Sequence, residues 1–120
     1  MNGIARYRQV RAQMPPEQLV LALLRESVST LGRLHGATPT QWAGHLHRVR
    51  AIVIELRAAL DPQVDTELVG RLDSLYGWSL QTLIEAGRTR DLSKTDAVRG
   101  VLGTVLEGWL AVVEQPLAAK

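Results

Sequence analysis

Aliphatic residues recur at three- and four-residue steps through four stretches of about twenty residues, each bounded by proline, glycine or a capping side chain. That period gathers apolar side chains along one face of a helix, and four such faces close a core only by facing one another. Nearly half the chain is apolar, yet Phe is absent and Tyr occurs twice, so Leu, Val, Ile and Ala with three Trp must fill that core. This is a helical rather than a strand palette.

The boundaries follow from local chemistry. Residues 1–14 read as a short N-terminal helical arm. Pro15-Pro16 opens the first long helix, about 16–34, because proline loses nothing in a first turn and Glu17 favours the positive end of the helix dipole; Gly36 marks its stop. Thr38-Pro39-Thr40-Gln41 is a capping box with proline at the first helical position, and opens a helix over about 39–60 that ends at Asp61-Pro62. Trp42, Leu46, Val49, Ile52, Val53, Leu56 and Leu60 share its inner face.

Asp65 caps a third helix over about 66–86, with Leu68, Leu72, Leu75, Tyr76, Ser79, Leu83 and Ala86 inward and Gly87 as the left-handed residue that closes it. Ser93-Lys94-Thr95-Asp96 supplies a weaker cap for a fourth helix over about 94–114, carrying Val98, Val101, Leu102, Val105, Trp109 and Val112 before Pro116. Short connections favour antiparallel neighbours, so the expected fold is all-α: an up-down-up-down four-helix bundle forming one domain over 1–120.

A bundle helix needs an apolar stripe of about three positions in seven, and several helices exceed it. Every residue from Leu19 to Leu24 is apolar, which calls for cover beyond the partner helices. Ile54 lies off the main face of the second helix, Trp78, Leu80 and Ile84 widen the third, and Leu106, Leu110 and Val113 add a second stripe to the fourth. Singly, each fits the ordinary scatter of surface apolars; as a set they line grooves that fit a helical partner. In the arm, Ile4, Tyr7 and Val10 step by threes, so they either strap an exposed apolar surface or complete the core.

Other functions find less support. The chain has no Cys, no Gly-rich phosphate loop and no Glu-x-x-His pair of a di-iron bundle. His45 and His47, two apart on a helix, diverge and lack a third ligand. No metal, cofactor or catalytic residue is therefore expected, and the chain is not expected to be an enzyme. The net charge is only +2, and Arg6, Arg8 and Arg11 read as a solvated arm rather than a nucleic-acid surface. No run reaches the roughly 18 apolar residues of a membrane span and the N-terminus lacks a signal-peptide core, so a cytoplasmic location without membrane insertion is expected.

Several strings, among them Tyr7-Arg8-Gln9-Val10, Ala51-Ile52-Val53-Ile54-Glu55-Leu56 and Leu83-Ile84-Glu85-Ala86-Gly87, resemble the FliS family of flagellin export chaperones. Tyr7-Arg8-Gln9-Val10 followed by Pro16-Glu17-Gln18-Leu19 is similar to the family's opening, and Ala51-Ile52-Val53-Ile54-Glu55-Leu56 with Ala59-Leu60-Asp61 to its second helix. Leu75-Tyr76 and then Leu83-Ile84-Glu85-Ala86-Gly87 is the most specific match, with glycine where the family shows asparagine. Asp96 to Trp109 resembles its final helix, whereas Leu24-Arg25-Glu26-Ser27-Val28 departs from its first.

The resemblance implies a chaperone that binds the disordered C-terminal segment of flagellin, blocks premature polymerisation and presents it to the export gate protein FlhA without ATP. Under that reading Ile4, Tyr7 and Val10 form a movable strap, while Ile54, Tyr76, Leu80 and Ile84 lie on or beside client grooves; Tyr76 and Leu80 also fit a plain core role. The alternative is a self-associating bundle with another partner, whose extra faces make a homodimer.

Overall fold

All four expected helices form, and α2 and α3 begin at the caps read from the sequence. The computed structural model describes residues 16–114 as four α-helices: α1 (Pro16–Gly32), α2 (Pro39–Ala58), α3 (Thr66–Thr89) and α4 (Leu92–Val113). At α2 the capping box is complete, with the Gln41 amide donating to Thr38 Oγ1 at 3.2 Å and the Thr38 amide donating to Gln41 Oε1 at 3.0 Å. At α3 the Asp65 carboxylate accepts from the Leu68 amide at 3.0 Å.

Two helix ends differ from expectation. α3 does not stop at Gly87 but runs three residues further to Arg90, which takes the left-handed conformation at φ 55°. Glycine is the usual occupant because a side chain crowds the carbonyl there. Arg90 is held by distant partners: its guanidinium donates to the Ala37 carbonyl at 3.2 Å and lies 5.3 Å from the centre of the Trp42 ring. α4 likewise starts earlier, capped by Asp91 rather than Ser93; the Asp91 carboxylate accepts from the Ser93 amide at 2.9 Å and the Ser93 hydroxyl at 2.6 Å. Those hydrogen bonds hold the Asp91 carboxyl below its ordinary pKa.

The helices pack as a closed ring in which each meets its sequence neighbours and α1 also meets α4. Cross-helix pairs fix the directions as antiparallel. Arg57 pairs with Asp73 near one end of the α2–α3 seam, while Gly87 faces Leu46 near the other. Arg25 reaches Glu114 and Gly32 faces Arg99 across α1 and α4. The expected four-helix bundle is what forms, without strands among the described residues.

One cluster fills the centre, drawing Leu23, Leu24 and Leu31 from α1, Trp42, Val49 and Val53 from α2, Tyr76 and Leu83 from α3, and Val98 and Leu102 from α4. The wide stripe on α1 goes largely into this core: Leu19, Leu23 and Leu24 belong to it, because α1 packs on both α2 and α4 and needs two flanks, and Leu21 is buried as well. Ser27 and Ser79 are fully buried but donate to the Leu24 and Leu75 carbonyls, each at 2.8 Å, so neither hydroxyl is left unpaired.

Candidate functional site

The off-face residues of α2 and α3 meet along one seam. Leu46, Arg50, Ile54 and Arg57 follow one another at four- and three-residue steps and so form a single ridge on α2; Asp73, Gly77, Leu80, Ile84 and Arg88 form the facing ridge on α3. Arg57 anchors the register, donating to both Asp73 carboxylate oxygens, at 2.7 and 3.3 Å. Its guanidinium lies across Gly77, where an added Cβ would stand 3.3 Å from it, so the glycine makes room for the pair. Asp73 is held below its ordinary pKa by the Arg57 hydrogen bonds.

With that register set, Ile54, Leu80 and Ile84 fall together in the middle of the seam. Ile54 is 55% exposed and Ile84 48% exposed, while Leu80 is partly buried against the core and floors the strip between them. A single exposed isoleucine is unremarkable in a folded protein, but two on adjacent helices over an apolar floor make a strip that a helix can cover.

Tyr76 is placed elsewhere. It is 2% exposed, its ring sits in the core, and burial pushes its phenol up to about 12. One side of it lines a cleft of about 440 Å³ at the end of the bundle where α1 begins and α4 finishes, shared with Leu19, Val20, Leu60, Leu72 and Trp109. Leu72 and Trp109 also line a second groove of about 380 Å³ between α3 and α4, with Leu68, Val105, Gly108 and Val112. An added Cβ on Gly108 would meet nothing within 4 Å, so α4 leaves this groove open.

That opening explains two departures from expectation: Leu68 and Val112, expected to face inward, are 51% and 68% exposed. Ile4, Tyr7 and Val10 lie outside the described residues. Pro16, the first residue described, lines the end cleft. Leu60, Leu72 and Trp109 were legible as stripe residues, but nothing local in the sequence marks them as the walls of a cleft.

These surfaces sit on a chain whose sequence matches one family model over residues 1–116, that of flagellar protein FliS. The chain belongs to the FliS family. It is also similar to the flagellar secretion chaperone FliSB of Pseudomonas aeruginosa, 30% identical over 118 residues that span 91% of this chain and 94% of that protein. The string Leu83-Ile84-Glu85-Ala86-Gly87 splits between two surfaces of α3. Leu83 and Ala86 are fully buried, whereas Ile84 stands exposed on the seam.

Proposed function

We propose that this FliS-family protein is a cytoplasmic flagellar export chaperone. It binds the C-terminal segment of flagellin, prevents its polymerisation and presents it to the export gate protein FlhA. The observation that carries the reading is the pair of open apolar surfaces, the Ile54–Leu80–Ile84 strip and the end cleft with its adjoining groove, on a bundle whose core is already closed. No helix among the described residues is long and apolar enough to cross a membrane, so these surfaces are not accounted for by a membrane-spanning helix.

The mechanism is coupled folding and binding. Apolar area removed from water is worth about 25 cal/mol per Å², against an ordering cost of about 2–5 kcal/mol for a segment that is unstructured when free. A client that lays apolar helix faces on the seam and the end cleft holds its own polymerisation segment apart from other flagellin molecules. Tyr76 supports the floor of the end cleft. Ile4, Tyr7 and Val10 act as a strap that yields to the client, a reading supported by Pro16, which follows them in the sequence and lines that cleft. Binding, rather than a catalytic step, does the work.

Filament growth tests this directly. Light scattering of the host flagellin, seeded with short filaments, should stay near baseline when the protein is present at one equivalent. Undiminished growth beside the folded protein would contradict the proposal.

A further inference from the structure

The α2–α3 seam is not only apolar but also positively charged at one end. Arg50 stands one turn from Ile54 on α2, and Arg88 one turn from Ile84 on α3, beside the contact between Gly87 and Leu46. Both are exposed, and neither is in an ion pair among the described residues. His47 is exposed on the same side of α2. The carboxylate on these two ridges is Asp73, and Arg57 already neutralises it.

All twelve acidic side chains of the sequence fall between Glu17 and Glu114, within the described residues, so no Asp or Glu elsewhere in the chain is left to pair with Arg50 or Arg88. Other basic residues illustrate the contrast: Arg25, Arg33, Arg48, Arg57, Arg71 and Lys94 each hold a carboxylate. Two unpaired guanidiniums on opposite walls of an exposed apolar strip form a surface that is complementary to carboxylates bordering an apolar helix face.

We propose that the α2–α3 seam takes an acidic amphipathic helix of the client. Its apolar face covers Ile54, Leu80 and Ile84, and its Asp or Glu side chains reach Arg50 and Arg88. This rests on the chaperone reading and adds the charge of the segment that is selected. Arg50 and Arg88 steer the client and set its register, while the isoleucines supply most of the affinity. Because neither arginine pairs with an acidic side chain, replacing them leaves the bundle intact.

The test is calorimetric titration of the full chain and of its Arg50→Glu/Arg88→Glu variant with a synthetic peptide of the last forty or so residues of the host flagellin. Far-UV circular dichroism confirms that both proteins are folded. The parent should bind several-fold more weakly in 500 mM than in 50 mM NaCl, and the variant about tenfold more weakly than the parent at low salt, with the salt dependence reversed because salt screens its repulsion of the acidic peptide. A peptide with lysine at the Asp and Glu positions of the segment bound on the seam should recover most of the loss. If the parent binds and the variant binds equally well, or if the lysine peptide fails to recover affinity, the charge assignment is overturned while the chaperone reading stands. If the folded parent does not bind the flagellin peptide at all, both fall.

Discussion

Replacing Ile54 and Ile84 together by aspartate should weaken binding of the flagellin C-terminal peptide about a hundredfold, with little change in the thermal midpoint of the free protein. The expectation rests on what each isoleucine touches. Both are about half exposed, 55% and 48%, so neither is essential to the core cluster. In the complex both would be covered, and the substitution then places two carboxylates against an apolar helix face that cannot solvate them. Losing half-exposed contacts of this kind costs about 1.4 kcal/mol each, a tenfold change in affinity apiece. Titration calorimetry beside a melting curve separates the two effects. Unchanged affinity would remove the seam from the client site; a collapsed melting curve would show that the two residues hold the bundle together.

Tyr76→Ala should fail in the opposite way, by unfolding. At 2% exposure inside the core cluster, the ring leaves a cavity that costs about 3–5 kcal/mol, a large share of the 5–15 kcal/mol that typically holds a domain. Tyr76→Phe keeps the volume and isolates the hydroxyl. Burial raises the folded phenol to about 12, above the ordinary value of 10.0, so the folded state favours the neutral form. The resulting stability is present below pH 10 and is lost as pH rises from about 10 to about 12, where the unfolded chain ionises first. Urea midpoints measured across that window should fall more steeply for the parent than for Tyr76→Phe. Parallel curves would mean that the phenol is not shielded from water, and selective loss of binding by a fully folded Tyr76→Ala protein would assign Tyr76 to the client instead.

The parts of the fold that were legible in the sequence are those decided within a few residues. The Thr38 to Gln41 box and the Asp65 cap are each complete within three residues, so sequence spacing contains all their partners. The end of α3 is not of that kind. Gly87 is the better left-handed residue by propensity, yet Arg90 takes the role because its side chain is tied to Ala37 and Trp42, some fifty residues earlier. At α4 the acid two residues before the serine outcompetes it as a cap, since an ionised carboxylate accepts more strongly than a hydroxyl.

The candidate surfaces divide along similar lines. Ile54, Leu80 and Ile84 stand out as apolar residues in excess of a bundle stripe, and antiparallel packing of α2 on α3 brings them together. The end cleft is invisible to such counting. Leu60 lies just past the end of α2, Leu72 on α3 and Trp109 on α4, so the cleft depends on how three separate segments meet at the bundle end. Leu68 and Val112 fit an inward stripe by period, but they flank a groove that Gly108, lacking a side chain, leaves unfilled. Periodicity reports which face a residue shares, whereas exposure depends on what the neighbouring helix places opposite.

The open apolar surfaces of this FliS-family bundle are proposed to receive flagellin's C-terminal segment. Calorimetric titration of the purified protein with that peptide at two temperatures tests it most directly. One-to-one binding is expected, with a dissociation constant below about 1 μM and a negative heat-capacity change, the mark of apolar surface leaving water. Absence of a binding heat at both temperatures, with the protein folded and monomeric, would contradict it.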